Sequence, residues 1–159
     1  MEFLQPDCRK TLREGLDELY RQAPEVAEVS RRKGKGFRDH DLTHVIFGCD
    51  TSIRGEMLLN PWILLGTTIT RLELREYAAD PEVKRLNQEG YDLLGGRLKA
   101  VLLFISYYLP LYVWLWVKHI RTMSKKWPHS QVTDIMLDTP LDVLRREYGI
   151  PIHSAPALC

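Results

Sequence analysis

At 159 residues, with 22 basic and 21 acidic side chains and a net charge of +1, the chain can bury a sizeable core in one domain. It carries no general charge excess to attract nucleic acid. Three cysteines, Cys8, Cys49 and Cys159, are odd in number and lack CxxC spacing, which argues against a disulfide framework and for a reducing compartment.

The opening Met1-Glu2-Phe3-Leu4 soon meets Pro6-Asp7 without a basic stretch leading into an apolar run, so no secretory signal is expected. Pro6-Asp7 then opens an amphipathic helix to about Arg21, with Leu12, Leu16, Leu19 and Tyr20 on one side. Pro24 restarts a short segment, and 31–36, Arg-Arg-Lys-Gly-Lys-Gly, reads as a flexible basic loop. A helix from about Asp39 to Phe47 follows, stopped by Gly48. Thr51 or Ser52 caps the next, which runs to about Ala78 with a kink or break at Pro61. Asp80-Pro81 pairs a cap with a first-turn proline and starts another long helix, which Gly90, Gly95 and Gly96 weaken without ending. Thr139-Pro140 starts a last short helix that Gly149 stops. No run alternates like a strand. The expectation is an all-α, single-domain helical bundle over 1–159, with a motif core at 38–120 and a C-terminal helix at 139–149.

Residues 100–117 contain no formal charge. At 1.5 Å per residue these eighteen positions span roughly 27 Å, just short of a hydrocarbon core of about 30 Å. Lys99 lies on one side, and Lys118, Arg121, Lys125 and Lys126 on the other. Three readings are open: a transmembrane helix with Pro110 in its middle, a buried core helix, or a helix whose apolar face meets lipid as a pocket wall or a membrane-dipping element. Tyr107, Tyr108, Trp114 and Trp116 carry polar tips that favour an interfacial or ligand-facing role.

Chemistry concentrates in residues 40–56. His40-Asp41-Leu42-Thr43-His44, eleven further residues and then Glu56 bring two of the chain's five histidines and the carboxylates of Asp41 and Glu56 into seventeen positions. On a helix, His40 and His44 lie about 40° apart on one face, one turn above the other, so the pair can grip one metal ion. Asp41 lies about 60° from His44 and can ligate or orient. Leu42, Val45, Ile46 and Phe47 make the helix half-buried, and burying these polar groups without a compensating cation is costly. Mixed nitrogen and oxygen donors suit Zn²⁺, Mn²⁺ or Fe²⁺. The aspartate, one methylene shorter than the glutamate of His-Glu-x-x-His, weakens a metallopeptidase reading, and two histidines with one carboxylate also suit a non-haem iron triad.

His40-Asp41-x-x-His44, eleven residues and Glu56 resemble the signature of the coenzyme Q biosynthesis protein 4 family, the ubiquinone-biosynthesis metal-binding proteins. The closing Thr139-Pro140-Leu141-Asp142-Val143-Leu144-Arg145-Arg146-Glu147-Tyr148-Gly149-Ile150 is also similar to that family's last helix, and the likeness covers roughly 20–150. The resemblance implies metal ligands at His40, Asp41, His44 and Glu56, with zinc expected ahead of iron, manganese or magnesium. It also implies an apolar lipid-binding tunnel beside the metal, with Tyr107, Tyr108, Leu111 and Trp114 on the prenyl tail. The implied activity is C1 decarboxylation of a polyprenyl hydroxybenzoate, with Asp41 as a ligand or proton carrier. Were the ring also oxidised, zinc alone would not serve, because it has no redox chemistry. The alternative is a non-catalytic scaffold that presents prenylated intermediates to other ubiquinone-biosynthesis enzymes. Implied partners are the prenylated aromatic lipid, those enzymes, a second copy and a membrane surface. The implied location is peripheral, on the cytoplasmic face of an inner membrane, or on the matrix side of the mitochondrial inner membrane in a eukaryote.

The remaining polar residues take plainer readings. His119 and His129 belong to a basic, solvated stretch with a secondary role at anionic head groups; His153 and Cys159 belong to a fraying tail. Cys49 near the motif is a marginal ligand, and Arg54 an exposed helix-start arginine that could pair an anionic head group.

Overall fold

The computed structural model describes residues 1–151; His153 and Cys159 lie outside the described residues. Among the described residues every regular element is helical, apart from isolated bridges joining Thr11 to Pro140 and Thr67 to Trp127.

A 3₁₀ turn at Glu2–Leu4 precedes α1, Leu12–Gln22. The helix starts later than Pro6-Asp7 suggests, because Thr11 and Glu14 close a reciprocal capping box on its first turn. Pro24 sits in the first turn of α2, Pro24–Lys33. The expected basic loop at 31–36 is instead helical except at Gly34, whose φ of 87° turns the chain into α3, Lys35–Phe47. Opposite charges hold this corner: Arg32 meets Glu82 at 3.0 Å, Lys33 meets Asp80 at 2.8 Å and Lys35 meets Asp39 at 2.6 Å.

The helix α3 is the axle of the fold. It packs against α1, α2 and two further helices, and Asp41 through Phe47 are all buried. Gly48 ends it at φ 66°, a left-handed position that costs other residues about 1 kcal/mol or more. Ser52 then caps α4, Ile53–Gly66, by accepting from the Gly55 N–H at 3.1 Å.

Pro61 lies inside α4 without dividing it. The expected long helix breaks instead at 67–70, where a second capping box, Thr70 with Glu73, starts α5, Arg71–Ala79. Asp80 caps α6, Pro81–Leu93, as its sequence predicts, and Gly95 and Gly96 end it outright at φ 82° and 103°.

The apolar run forms α7, Arg97–Leu103, a π-helical turn at 104–108, and α8, Leu109–Lys118. Pro110 explains the π turn. Its ring would collide with the carbonyl four residues back in a regular helix; here the preceding Leu109 N–H donates to Phe104, five back, in a wider turn. From Arg97 to Thr122 the stretch is long and apolar enough to cross a membrane; its most apolar eighteen-residue window has a mean hydropathy of 1.8, yet only 17% of that window is buried. The core-helix reading therefore fails. The expected tunnel is not shown, since Val101, Leu102, Ile105, Leu109 and Val113 lie open to solvent.

Two short helices close the chain, α9 at Asp134–Leu137 and α10 at Leu141–Tyr148, the latter ended by Gly149 at φ 66°. The core sits where α1, α3, α4 and α10 meet, with Leu12, Leu19, Val45, Ile46, Leu59, Trp127 and Leu141 inaccessible to solvent. Phe47 and Trp62 stack there at 4.9 Å. Arg145, 3% exposed, reaches from α10 to donate to the carbonyls of Val45 and Ile46 at 2.8 and 3.0 Å, and to those of Phe3 and Gln5 at 2.5 and 2.7 Å. Burial lowers this guanidinium to about 10, so it stays charged at neutral pH and locks the end of α3 to the N-terminal segment.

Candidate metal centre

The end of α3 and the start of α4 are joined by a tight connection, and that connection sets the site. Gly55 approaches the carbonyl oxygen of Asp50 so closely that a Cβ there would collide with it. Only glycine lets the first turn of α4 fold back onto the connection, and this brings Glu56 over α3.

There the carboxylate meets both imidazoles. Glu56 Oε1 lies 3.1 Å from His44 Nε2, and Oε2 lies 3.8 Å from His40 Nε2. One donor atom from each of the three residues falls within 4.8 Å of the other two. The imidazoles are sequestered, with His44 1% and His40 15% exposed at the side chain, whereas Glu56 at 43% faces outward. A cluster open on one side suits an ion that must also meet a ligand.

The surroundings orient the donors. His44 Nδ1 lies 3.2 Å from the Cys49 carbonyl, which accepts its proton and leaves Nε2 to face Glu56. Metal-binding histidines commonly hold their second nitrogen in this way. Tyr77 of α5 stacks flat on His40 at 5.1 Å, and His40 meets His44 edge-on at 5.0 Å. Burial alone would lower the His44 pKa, but its hydrogen bond to Glu56 and the charges of Glu56 and Asp41 outweigh this and raise it. Glu56 shifts the opposite way: burial raises it, and the histidines more than offset that and hold it below the usual carboxylate range. Without a cation, imidazolium and carboxylate thus neutralise one another; an ion would displace the proton.

Asp41 stands apart from this triad. Its Oδ2 accepts hydrogen bonds from the Tyr20 hydroxyl at 2.9 Å and from the Ser30 hydroxyl, while Oδ1 lies 3.9 Å from His40 Nδ1. Buried at 4% exposure and held by α1 and α2, it is placed to orient His40 from behind rather than to join the ion. Burial and the Asp41 charge push the Tyr20 phenol up; burial and the charges of Glu56 and Asp41 do the same for Tyr77, so both remain protonated donors at neutral pH.

Tyr20, Ser30 and Tyr77 are site residues that the sequence reading missed. The Thr70–Glu73 capping box is the one signal that could have brought Tyr77 into view, by ending the preceding helix and turning a new one back toward the motif. Tyr20 and Ser30 carry no local signal, since they meet Asp41 only through tertiary packing.

Of the expected tail contacts, Tyr107 and Trp114 are 51% and 40% exposed, Tyr108 is buried at 8%, and Leu111 packs partly against the core. The Cys49 thiol is buried and outside the triad; only its backbone serves the site. Arg54 is exposed. His129 is not solvated but buried at 7% exposure, and His119 is half-buried against Trp114.

Scans of protein-family models, curated proteins and solved structures return no match to this chain.

Proposed function

We propose that His40, His44 and Glu56 hold one divalent ion, zinc before iron, manganese or magnesium, and that the chain acts on the aromatic head group of a polyprenyl hydroxybenzoate, removing its ring carboxylate. The observation that carries this reading is the convergence of three donor atoms within 4.8 Å, with the second nitrogen of His44 already committed to Cys49. The donor set fits such an ion: two imidazoles and one carboxylate, largely buried and open on the Glu56 side.

A bound ion supplies Lewis-acid polarisation of the head-group oxygens. The chain's own residues do the rest. Tyr77 fixes one face of His40, Asp41 positions its far nitrogen, and Cys49 fixes the tautomer of His44. When carbon dioxide leaves, the ring carbon keeps the bonding pair and takes up a proton from water admitted on the exposed Glu56 side, the hydroxide left being neutralised by solvent. Asp41 acts in this reading as a positioning group, because two hydroxyls already occupy its Oδ2. The prenyl tail lies along the apolar rod of α7 and α8 rather than in a closed tunnel, where each buried CH₂ contributes about 0.8 kcal/mol. Lys99 at one end and Lys118, Arg121, Lys125 and Lys126 at the other would hold that rod peripherally at an anionic membrane face.

The open rod also favours a second reading, a non-catalytic scaffold that hands prenylated intermediates to other ubiquinone-biosynthesis enzymes. Pure protein given metal, oxygen and a short-tailed prenyl hydroxybenzoate separates the two. Release of carbon dioxide that vanishes in Glu56→Gln supports catalysis; binding of the lipid without turnover supports the scaffold.

A further inference from the structure

A cavity of about 230 Å³ lies beside Tyr77. Tyr77 lines it along with Phe37, Glu73, Glu76, Asp80 and His129. The spacing of 73, 76, 77 and 80 puts these residues on one face of α5 and its C-cap, so a single helix face supplies all four. His129 joins the lining from the segment that precedes α9. It is 7% exposed, and its Nδ1 is buried with no hydrogen-bond partner among the described residues. An unmatched buried polar atom costs about 1–3 kcal/mol, so a partner there would recover free energy.

The charges around the cavity are uneven. Asp80 is matched by Lys33 at 2.8 Å, and Asp39 by Lys35 at 2.6 Å. Glu73 accepts from the Ser130 hydroxyl and from the Thr70 N–H at 2.7 Å, which hold its carboxyl down at about 2, but no cation meets it among the described residues. Glu76 likewise has no ion pair among the described residues. The rings of Phe37 and Tyr77, 5.2 Å apart and tilted to one another, both line the cavity and supply aromatic surface for a cation. Fixed negative charge, aromatic walls and an unmatched buried nitrogen together describe a site for a small organic cation.

We infer that this cavity binds a small organic ammonium ion, with Glu73 and Glu76 as its counter-charges, Phe37 and Tyr77 as its aromatic wall, and His129 as a buried hydrogen-bond partner. None of His40, His44 and Glu56 lines this cavity; Tyr77, which stacks on His40, joins the two sites, and the His40 charge reaches His129. An anion is disfavoured by the same carboxylates, and a neutral diol would gain neither charge nor cation–π attraction.

The test uses the full chain, with and without chelator, titrated with 1,4-diaminobutane and separately with butane-1,4-diol by calorimetry and by histidine and tyrosine NMR shifts. The inference expects saturable binding of one diamine per chain whether or not metal is present, at least tenfold weaker diol binding, and a shifted His129 resonance. Glu76→Gln, at an exposed position, should weaken the diamine at least tenfold with the melting temperature held, and Glu73→Gln should do so as a second variant. Equal binding of diol and diamine, no saturable binding, or an affinity unchanged in both glutamine variants would overturn the inference. The metal assignment is unaffected by any of these results.

Discussion

The half of the molecule built on α1, α3, α4 and α10 and the arm running through α5 to α8 differ in what they leave unmatched. In the first half apolar groups are buried, and the polar groups buried with them are mostly paired: Arg145 with four carbonyls, Asp41 with two hydroxyls, His44 with Cys49 and Glu56. In the arm, α5 buries none of its residues and α6 only Val83, while the rod of α7 and α8 presents leucine, isoleucine and valine to water. Closed packing fixes donor atoms to tenths of an ångström; an open apolar surface of this size calls for contact with something else. Chemistry is thus expected of the first half and association of the second.

Removing a matched buried group from the first half should cost most. Arg145→Met removes four hydrogen bonds and strands the Phe3 and Ile46 carbonyls, while Gln5 and Val45 keep the N–H groups of Cys8 and Gly48, and should lower the free energy of urea unfolding by about 3 kcal/mol or more. A loss under about 1 kcal/mol would mean that these carbonyls find other partners and that the packing is looser than described. Gly55→Ala should come next, at about 1–3 kcal/mol, because the added methyl runs into Asp50. As it also displaces Glu56, metal affinity should fall at least tenfold, and unchanged affinity would detach the tight connection from the site.

Acidity probes the triad more gently. His44 is raised above its ordinary 6.5, so in chelated protein its contribution is complete below pH 6.5 and is lost as pH climbs through the folded value. Glu56 is lowered from 4.5, so its contribution is present above 4.5 and is lost as pH falls through its folded value. The contribution of the pair is therefore largest between pH 4.5 and 6.5, so the melting temperature of chelated protein should exceed that of His44→Ala by most in that window. A difference that instead grows from pH 6.5 to 8 would contradict the ion pair. The smallest effect belongs to the arm. Leu102→Ser with Ile105→Ser should change unfolding by no more than about 0.5 kcal/mol, since both side chains are already exposed, yet reduce sedimentation with anionic vesicles several-fold. A large loss of stability would show that the rod is packed after all.

The same contrast explains what the sequence made legible. Helix stops and starts coded by one or two residues were readable: Gly48, Ser52, Asp80-Pro81 and Gly149 all act as expected. The reading of 31–36 as a loop failed because its basic residues find acidic partners on α3 and at the start of α6, a tertiary rescue that local composition does not register. The capping boxes at Thr11 and Thr70 were visible in principle, and the second would have moved the helix break from Pro61 to 67–70. In the site, the helical register of His40 and His44 and the arrival of Glu56 followed from spacing. The position of Asp41 did not, because its hydroxyl partners come from helices 21 and 11 residues away. The rod was readable as apolar but not as exposed, since burial is decided by what packs against it.

The central claim is that His40, His44 and Glu56 hold one ion, and elemental analysis of the purified chain tests it directly. One equivalent of a divalent transition metal per chain should survive gel filtration, and His44→Ala and Glu56→Gln, each checked for retained helicity by circular dichroism, should lose it. Metal content unchanged in both folded variants, or no metal taken up by the wild-type chain when zinc, iron and manganese are supplied, would contradict the account.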